Sequence, residues 1–458
     1  MTTPPPEITP WGVPAKVPPY GLAYVAAALE NAGFTVQVLD NYQLRNSVEL
    51  ATQEVLKRDP EIVGISCSSV TYKRCLEVAK AIKQVKPSIK VVAGGWHPSF
   101  EPDSMLEHQE IDYVVIGEGE FPMVELATTL AKGGSNDTIA KIPGIGLVYN
   151  GKIVKNPPRI IDNLDELPYP AWHFFPMDMY DRRMEYLSKT AEPVDVINAI
   201  RGCNFNCAYC DNTTLYGRKC RFFSPKRLVD EAEMMKKTLG SKGFYFIGDN
   251  FTINKNHTLE LCRLIKDRNL NVEWACDTRV DLITPELLRE MKSAGCKTIF
   301  FGIQSGEPRI LKKLNINFTI EQVAEGFKMC HKEGIKVAAS FMLGIPGETL
   351  ADMETTYKLV RKLSPDFCTF YVFIGIPYSA LYAEVLEKGL YDRRDGFLVF
   401  VKTDQFDYAT VTAIQKRYQR GYNLSRQRLI KKMRRDGLGN FVRQGLAFGL
   451  HGKTAKRV

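Results

Sequence analysis

RGCNFNCAYC, residues 201–210, is the stretch that decides the fold, because it places three cysteines within eight residues. It follows the apolar run VDVINAI (194–200), which is typical of a buried parallel strand. Three thiolates at the end of one strand can converge on one metal centre. A closed structural zinc site takes four ligands, whereas a cubane iron–sulfur cluster held by three cysteines leaves one iron open. Cys220 could complete a zinc set, but no second cysteine pair follows at zinc-finger spacing, so we favour the cluster.

The cysteines open a longer alternation of strands and helices. Amphipathic segments such as SPKRLVDEAEMMKKTLG (224–240) lie between the strands and predict helices. Six strands with intervening helices predict an α/β fold of the incomplete βα-barrel type, in which chemistry lies where strands end and loops begin. The predicted strands are VDVINAI (194–200), GFYFIGD (243–249), NVEWACDT (271–278), TIFFGIQSG (298–306), KVAASFMLG (336–344) and DFCTFYVFIG (366–375).

The motif resembles the signature of the radical S-adenosylmethionine (SAM) superfamily, Cys-x3-Cys-x2-Cys with an aromatic residue, here Tyr209, before the last cysteine. The resemblance implies a partial (βα)6 barrel over residues 194–385. It also implies a [4Fe-4S] cluster held by Cys203, Cys207 and Cys210, whose open iron chelates SAM, with Tyr209 beside the adenine. One electron, from a donor such as ferredoxin or flavodoxin, would split SAM to a 5′-deoxyadenosyl radical.

The same resemblance implies further SAM contacts at the strand ends. Gln304 stands where many relatives have glutamate, and this change keeps hydrogen bonding but removes a charge. Arg279 could meet a carboxylate of the ligand or form a surface ion pair. The expected SAM-binding residues are Tyr209, Gly248, Asp249, Arg279, Gln304, Ser305 and Ser340.

The first half of the chain predicts a second α/β unit. Four β-branched apolar runs alternate with helical periods that each end in Gly or Pro. This alternation predicts a Rossmann-like, doubly wound parallel sheet, whose ligand lies beyond the carboxyl ends of the strands. A hairpin is predicted around Asn150-Gly151, followed by a Pro-rich linker. The four runs are FTVQVLD (34–40), EIVGIS (61–66), IKVVAG (89–94) and DYVVIG (112–117).

Three motifs follow one another in this half of the chain: PYGLAY (19–24), GGWHP (94–98) and GEGE (117–120). On these motifs, residues 10–160 resemble the cobalamin-binding domain that is fused to many radical SAM enzymes. Glycines at strand ends let the backbone approach a bulky cofactor, and small side chains leave room for its nucleotide tail. The expected cobalamin-binding residues are Tyr20, Gly21, Ser66, Cys67, Ser68, Ser69, Gly94, Gly95, Trp96, His97, Gly117, Glu118 and Gly119.

The chain departs from that domain in two places. Where an Asp-x-His-x-x-Gly motif supplies a histidine to cobalt, residues 16–21 read KVPPYG, so we expect cobalt to be bound without it. His97 either offers another contact with cobalt or orders a loop. The usual opening apolar strand is missing before Pro6, so that either the sheet is one strand short or the chain start has been cut.

Length and composition are those of a globular protein: 458 residues, 45% hydrophobic and 25% charged. We expect a cobalamin-binding domain over residues 1–155, a linker over 156–193, the barrel over 194–385 and a basic helical region over 386–458. No apolar run reaches the length of a membrane span and no secretory signal opens the chain, so we expect a cytoplasmic protein without a transmembrane segment. The remaining cysteines are expected to pack in the cores.

The positive charge is confined to the end of the chain. Residues 411–458 hold thirteen Lys and Arg against one acid, a net charge of +12, which leaves −3 for everything before them. This tail could bind RNA, an anionic membrane surface or an acidic protein, or pack on the barrel through Tyr418, Tyr422, Leu429 and Met433. Because the body is not basic, we do not expect nucleic acid as a partner.

The two resemblances together imply a cobalamin-dependent radical SAM C-methyltransferase, which moves a methyl group from methylcobalamin to an unactivated carbon. The chain resembles compact members such as the glutamine C-methyltransferase that modifies methyl-coenzyme M reductase, so the first expected substrate is a protein side chain, in a post-translational modification. An oxidative cyclase, a ring-contracting enzyme and a natural-product methyltransferase stay open as alternatives. An RNA methylthiotransferase is disfavoured, because those enzymes carry three further cluster cysteines and only Cys67 and Cys75 precede the motif. A non-enzymatic iron–sulfur or cobalamin carrier would show a cluster spectrum but no SAM cleavage.

Overall fold

The computed structural model describes residues 1–4, 17–426 and 428–430, which form two α/β units and a C-terminal extension. The strands of the first unit are β1 (Thr2–Thr3), β2 (Leu39–Asp40), β3 (Ile62–Ser66), β4 (Lys90–Gly94), β5 (Tyr113–Val115), β6 (Ile145–Tyr149) and β7 (Lys152–Lys155). They form one sheet, the N-terminal sheet, in the order β2-β1-β3-β4-β5-β6-β7. Strands β1 to β5 run parallel, and β6 and β7 form an antiparallel hairpin at the edge.

Helices cover both faces of the N-terminal sheet. They are α1 (Tyr20–Asn31), α2 (Asn41–Leu44), α3 (Val48–Leu56), α4 (Tyr72–Val85), α5 (Trp96–Phe100), α6 (Pro102–Leu106), α7 (Glu120–Ala131) and α8 (Asn136–Ile139). Side chains alternate along a strand, so Val91 and Ala93 of β4 pack with α3 and α4, while Val92 packs with α1 and α7 on the opposite face. Burial on both faces explains why these strands read as continuous apolar runs.

The sheet has a strand at its opening position, contrary to the sequence expectation. Thr2 and Thr3 pair in parallel with β2, and Thr2 also pairs with β3, so they fill the place between these strands. Their hydroxyls hold them there: Thr2 Oγ1 donates to the Leu39 carbonyl at 2.8 Å, and Thr3 Oγ1 donates to Asp40 Oδ1 at 2.6 Å. A strand of two threonines carries no apolar pattern, which is why the sequence did not reveal it.

The predicted hairpin is confirmed. Asn150 and Gly151 connect β6 to β7, with φ of 49° and 73°. Two successive residues with positive φ form the turn whose twist matches that of paired strands, and Asn-Gly is the pair that adopts it most readily. The predicted strand at 34–40 is shorter than expected, since only Leu39 and Asp40 pair with a neighbour.

The second unit is an open barrel. Its strands, with one small side pair, are β8 (Val194–Asn198), β9 (Ile200–Arg201), β10 (Arg221–Phe222), β11 (Gly243–Ile247), β12 (Glu273–Thr278), β13 (Cys296–Gln304), β14 (Lys336–Leu343) and β15 (Phe367–Val372). Six of them form a parallel sheet, the barrel sheet, in the order β15-β14-β13-β12-β11-β8. The predicted set of six parallel barrel strands is therefore confirmed, and β9 and β10 form a separate antiparallel pair above it.

Helices follow the barrel strands, as a βα barrel requires. They are α9 (Asn212–Tyr216), α10 (Pro225–Leu239), α11 (Lys255–Asp267), α12 (Pro285–Ser293), α13 (Pro308–Lys313), α14 (Ile320–Lys332), α15 (Leu350–Leu363), α16 (Ala380–Glu387) and α17 (Tyr408–Asn423). Capping boxes at Thr319 and Thr349 fix the starts of α14 and α15. On β13, Ile299, Phe301 and Ile303 belong to the main core, and the alternate residues face the lumen.

The lower end of the barrel is filled by the linker. Leu187 and Ala191 pack with Val194, Tyr245 and Ala275 of the first three parallel strands. The linker is also held by its backbone, because Thr298 Oγ1 donates to the Tyr186 carbonyl at 2.5 Å. The carboxyl ends of the strands, at the opposite end, face the N-terminal sheet.

The C-terminal extension differs from the expected helical region. It contains a small antiparallel sheet of β16 (Ile374–Gly375), β17 (Tyr391–Asp395) and β18 (Leu398–Val401), in the order β16-β18-β17. The prediction of helix was wrong for 391–401, because β17 is highly charged and exposed and has no apolar period to detect. No helix of the described residues is long and apolar enough to cross a membrane.

The apolar stripe of the tail packs on the barrel, which confirms that expectation for the residues described. Tyr418 and Tyr422 of α17 are buried, and the Tyr418 ring stacks on Tyr357 at 4.3 Å between centroids. Leu429 is half-buried, whereas Met433 and most of the tail's positive charge lie outside the described residues.

Candidate functional site

The three cysteines of the motif lie on one loop between β9 and β10. Arg201 and Arg221 face each other in the antiparallel pair, so that residues 202–220, the cysteine loop, leave and return at the same point. At this point a Cβ on Gly202, whose φ is 86°, would lie 2.4 Å from the Lys219 carbonyl oxygen. Only glycine fits there, and the loop geometry therefore depends on it.

Cys203, Cys207 and Cys210 line one cavity of about 510 Å³ at the carboxyl ends of the barrel strands, the barrel cavity. Among the described residues, no three His, Cys, Asp or Glu side chains converge tightly enough to hold a single metal ion. Three thiols that surround a cavity without meeting at a point fit a cubane, in which each thiolate binds a different iron.

The protein environment alone does not ionise these thiols. Burial raises the pKa of Cys203 to about 11 and that of Cys210 to about 12, and burial also raises the pKa of Cys207. Thiolate ligands form when a metal displaces the proton, so this loop becomes anionic on loading with metal. Asn250 Nδ2 donates to the Cys203 sulfur at 3.2 Å and would stabilise that thiolate.

Cys220 does not join the other three cysteines. It is half-buried and lines a separate hollow beside Asn204 and Lys255. Cys220 is nevertheless close enough to Cys203 to interact with it electrostatically, so the preference for three ligands rests on which cysteines line the barrel cavity.

The barrel cavity also brings together six of the seven expected SAM-binding residues. The residues that line it are Tyr209, Gly248, Asp249, Arg279, Gln304 and Ser340. The expectation for Ser305 is not met, because its hydroxyl is buried behind the strand, where it accepts from the Glu307 N–H at 3.1 Å and lies 3.4 Å from Thr356 Oγ1. Gly248 is needed by packing, since a Cβ there would lie 2.9 Å from the Ile200 Cβ.

Arg279 is a buried cavity residue and not a surface one. Its guanidinium binds Asp281 through Nε at 3.0 Å and Nη2 at 2.9 Å, and it lies 3.9 Å from the centroid of the Phe205 ring. These contacts hold the charge at the edge of the cavity, where a carboxylate can reach it.

Several polar residues of this cavity are not among the expected SAM contacts, although Asn250 belongs to the strand-end segment Gly248-Asp249-Asn250, where the family resemblance implies polar groups. The amide oxygens of Asn198, Asn212 and Asn250 are buried and have no hydrogen-bond partner. Asp277 also lines the cavity; its Oδ1 accepts from the Tyr245 hydroxyl at 2.5 Å, and burial raises its pKa to about 7. A wall rich in unpartnered acceptors fits a ligand with ammonium, sulfonium and amino groups, as SAM has. The signal in the sequence is a position at a strand end for Asn198 and Asp277, whereas Asn212 begins helix α9 in the cysteine loop.

A second cavity of about 290 Å³, the N-terminal cavity, lies at the carboxyl ends of the N-terminal sheet. Glycine makes room in it: a Cβ on Gly21 would meet no atom within 4 Å, and one on Gly64 or Gly94 would meet only ordinary contacts. Apolar side chains such as Val25, Val92 and Met123 complete its wall, so it fits a flat apolar group such as the base of a cobalamin tail. The expected residues that line it are Tyr20, Gly21, Ser66, Gly94, Gly95, Trp96, Gly117, Glu118 and Gly119.

The structure does not bring the side chains of Cys67, Ser68, Ser69 and His97 to this cavity, contrary to expectation. Cys67 is buried in the core with Cys75, and Ser68 Oγ lies 3.3 Å from Thr71 Oγ1. Ser69 Oγ lies 3.2 Å from His97 Nδ1 on the far side of the loop.

His97 orders the loop and does not approach the cavity. Its ring is fully buried, stacks on Tyr72 at 4.2 Å between centroids, and has Ser104 Oγ 3.3 Å from Nε2. Burial lowers its pKa to about 4, so it is neutral at pH 7. Because both ring nitrogens have partners, the loop-ordering interpretation holds in this structure.

The two cavities share a wall. Tyr20, Trp96, Arg201 and Tyr216 line both of them, so that ligands in the two cavities would lie next to each other. Arg201 also connects the two units, because it donates to Glu118 at 2.8 Å and to Glu120 at 2.6 Å.

Comparisons with known proteins agree with both halves of this arrangement. The profile of the radical SAM superfamily matches residues 197–360, and that of the B12 binding domain matches residues 12–127. An uncharacterized methyltransferase of Pyrococcus horikoshii is 32% identical over 375 residues, which are 81% of this chain and 79% of the relative. An anaerobic magnesium-protoporphyrin IX monomethyl ester cyclase of Rubrivivax gelatinosus is 31% identical over 383 residues, 81% of this chain and 67% of the relative.

A solved structure has the same fold. The radical S-adenosylmethionine methyltransferase TsrM from Kitasatospora setae, with cobalamin and a [4Fe-4S] cluster bound, superposes with a TM-score of 0.69. The match covers 88% of this chain and 77% of that one, at 22% identity.

Proposed function

The chain belongs to the cobalamin-binding radical SAM methyltransferase family, and from this we propose that it transfers a methyl group to an unactivated carbon of its substrate. The family's cofactors are a [4Fe-4S] cluster, SAM and cobalamin. One observation carries the proposal: the barrel cavity and the N-terminal cavity share a wall, so that a carbon activated on one side is within reach of a group held on the other.

Particular residues would hold each group. We assign the cluster to Cys203, Cys207 and Cys210, and SAM to the barrel cavity between Asp249 and Arg279, which suit its ammonium and carboxylate groups. We assign cobalamin to the N-terminal cavity, where Gly94 ends β4 and Gly117 follows β5. When bound, these groups supply a carbon-centred radical and a transferable methyl group.

The chain's own residues orient the ligands and exclude water. Phe205 packs against the guanidinium of Arg279, which fixes this charge at the cavity edge. The linker fills the lower end of the barrel and keeps solvent from entering there. We propose a ferredoxin or flavodoxin as the electron donor, as in the family.

For the substrate we propose a protein side chain, with a glutamine such as that of methyl-coenzyme M reductase as the first case to test. Its support is the family resemblance and one feature of the barrel cavity. Asn198 and Asp277 line this cavity, and the unpartnered amide oxygen of Asn198 offers an acceptor that a carboxamide N–H could meet. A substrate that brings a donor would satisfy this oxygen, and one without a donor would leave it buried and unpaired.

A second candidate, an oxidative cyclase, is favoured by the similarity to the Rubrivivax gelatinosus cyclase. The two reactions differ in mass. Methylation adds one methyl group to the product, whereas oxidative cyclisation removes hydrogens and adds no carbon.

The test is mass spectrometry of peptides and metabolites from cells with and without the gene, fed with methionine that carries a deuterated methyl group. We expect a product that gains the labelled methyl only when the gene is present. A product that depends on the gene, has lost hydrogens and carries no label would establish the cyclase instead. If no product depends on the gene, both proposals fail.

A further inference from the structure

Four charged side chains form a buried cluster between the two cavities: Glu118, Glu120, Arg201 and Arg221, the interdomain charge cluster. Arg201 donates through Nη1 to Glu118 Oε1 at 2.8 Å and through Nη2 to Glu120 Oε1 at 2.6 Å. Arg221 donates through Nη1 to Glu118 Oε2 at 2.6 Å. No side chain of the four is more than 7% exposed, so solvent does not screen these pairs.

The interdomain charge cluster joins the cysteine loop to the wall of the N-terminal cavity. Arg201 and Arg221 are paired across β9 and β10, at the two ends of the loop that carries the cysteines. Both bind the same carboxylate, Glu118, which follows β5 and lines the N-terminal cavity together with Glu120. One acidic side chain therefore holds both ends of the cysteine loop against the other unit.

The linker is fastened at the same point. Glu118 Oε2 accepts from the Ile161 N–H at 2.8 Å, and Arg221 Nη1 donates to the Ile161 carbonyl at 2.7 Å. The linker is thus hydrogen-bonded to the interdomain charge cluster, as are both ends of the cysteine loop. Burial works against the charge of Arg201, but the two carboxylates outweigh it and raise the arginine pKa, so the cation persists.

Stability alone does not account for such a cluster. Well-packed apolar side chains of similar volume stabilise an interface as well as buried ion pairs, because desolvation offsets the Coulomb attraction. Ion pairs with paired nitrogens and oxygens, however, fix the distance and direction of approach, which apolar contacts do not. The arrangement therefore favours a role in alignment.

We propose that Arg201 is a positioning residue, which, through Glu118 and Glu120, sets the separation between the iron–sulfur cluster and cobalamin. The inference rests on the proposed function, since it requires both cofactors to be bound. Arg201 lines both cavities and lies two residues before Cys203, so a shift of its guanidinium moves the loop relative to the cobalamin wall. A misalignment of about 1 Å between reacting groups can lower a rate by roughly 100-fold.

The test compares two acid-to-amide variants of the full-length, anaerobically loaded enzyme. Glu118→Gln weakens the interdomain charge cluster. Asp195→Asn is the matched control: Asp195 is buried, accepts from Arg182 Nε at 2.9 Å and from Ser241 at 2.5 Å, and lies far from both cavities on β8. Iron and cobalamin content, the thermal midpoint, and the enhancement of cob(II)alamin spin relaxation by the reduced cluster are measured. Relaxation enhancement depends steeply on the distance between the two centres and needs no substrate.

We expect Glu118→Gln to change the relaxation enhancement severalfold in the molecules that carry both cofactors, while Asp195→Asn lowers the thermal midpoint and leaves the enhancement as in the wild type. If the relaxation enhancement in Glu118→Gln is unchanged and the thermal midpoint is lowered, the interdomain charge cluster only stabilises the fold, and the proposal is overturned. If Glu118→Gln does not fold, Glu120→Gln, which breaks only one of the ion pairs, is judged by the same criterion. A wild-type enzyme that binds no cobalamin would refute the proposed function itself, and so the two failures are distinguishable.

Discussion

The cysteines differ in what surrounds them, and this predicts which of them matter for metal binding. We expect Cys207→Ala to abolish the iron–sulfur absorbance and to stop 5′-deoxyadenosine formation, because a cubane held by three thiolates has none to spare. Cys220→Ala is the control, since Cys220 lines a different hollow, and it should keep about the wild-type iron content. Iron analysis and visible spectra after anaerobic reconstitution decide the matter. Loss of iron in Cys220→Ala would show that this cysteine is a ligand.

Glu231 predicts a pH dependence of stability. It is fully buried on α10 with both carboxylate oxygens unpartnered, and burial raises its pKa from 4.5 to about 8, against the lowering effect of Arg227. The folded state thus binds this proton more tightly than the unfolded state, so the stabilisation is complete below pH 4.5 and is lost as the pH rises towards 8.

Glu231→Gln removes this titration. Relative to the wild type, the variant should therefore gain stability as the pH rises from 5.5 to 8.5, by an amount corresponding to about 5 °C in the thermal midpoint. Scanning calorimetry at the two pH values measures the change. Glu260→Gln, at an exposed carboxylate whose pKa is lowered by Arg263, should show no such change over this range. A constant difference between Glu231→Gln and the wild type would contradict the buried-acid interpretation.

Among single residues, the sequence predicted those whose chemistry is distinctive and missed those whose role depends on the residues around them. The cysteines and the glycines at strand ends have few alternative explanations, and they line the cavities as expected. Asn198 and Asp277 look like ordinary strand-end residues, and only the fold shows that they face a cavity. His97 was assigned to the cofactor site because the sequence could not show that Tyr72 and two serines already engage its ring.

Among the elements, the cysteine loop depends most on backbone geometry. In Gly202→Ala the new Cβ would meet the Lys219 carbonyl oxygen at 2.4 Å, which forces β9 and β10 apart. Gly217→Ala, in the same loop, also has a positive φ, but its Cβ would meet no atom within 4 Å. Its backbone, with φ 69° and ψ −172°, lies in a region that is essentially restricted to glycine, so the substitution should cost backbone strain of about 1–3 kcal/mol without a steric clash.

We therefore expect Gly202→Ala to lose most of its iron and to unfold at a lower temperature, and Gly217→Ala to keep the cluster. Reconstitution followed by iron analysis and thermal unfolding compares the two. Equal losses in both variants would show that backbone strain, and not the crossing of the loop ends, governs the cluster site.

Elements with strong periodicity could be predicted, and short or polar ones could not. The six barrel strands and the hairpin at Asn150 were predicted because apolar runs and turn residues specify them locally. The β1 threonines and the charged strand β17 have no such pattern. The pairing of β1 is decided by a strand distant in the sequence, whereas β17 pairs with β18, which follows it directly but differs from it in composition.

At the scale of the whole molecule, three stacked aromatic side chains, Tyr378, Phe100 and Trp96, join the two units beside the cavities. We call them the aromatic ladder. The Tyr378 ring stacks on the Phe100 ring at 5.2 Å between centroids, and the Tyr378 hydroxyl donates to the Phe100 carbonyl. The Trp96 ring also stacks on the Phe100 ring, at 5.9 Å between centroids. Trp96 lines both cavities, so the ladder braces a wall of the N-terminal cavity, to which we assign cobalamin.

We expect Tyr378→Ala to release cobalamin about 10-fold faster, because a stacked contact and a hydrogen bond that brace Trp96 are lost together. Tyr371→Ala, on the nearby strand β15, removes an exposed tyrosine outside this ladder and should leave retention unchanged. Retention is followed by absorbance after gel filtration. A release rate for Tyr378→Ala equal to that of the wild type would mean that the ladder has no part in holding the cofactor.

The filled lower end of the barrel has a consequence for the order of turnover. Leu187 and Ala191 pack into that end, so the barrel lumen is closed there and opens at the end that faces the other unit. SAM and its products would use this same opening. We therefore expect 5′-deoxyadenosine to leave before the next SAM molecule enters. A large polypeptide could engage such a chamber only by extending one side chain into it from a protruding turn.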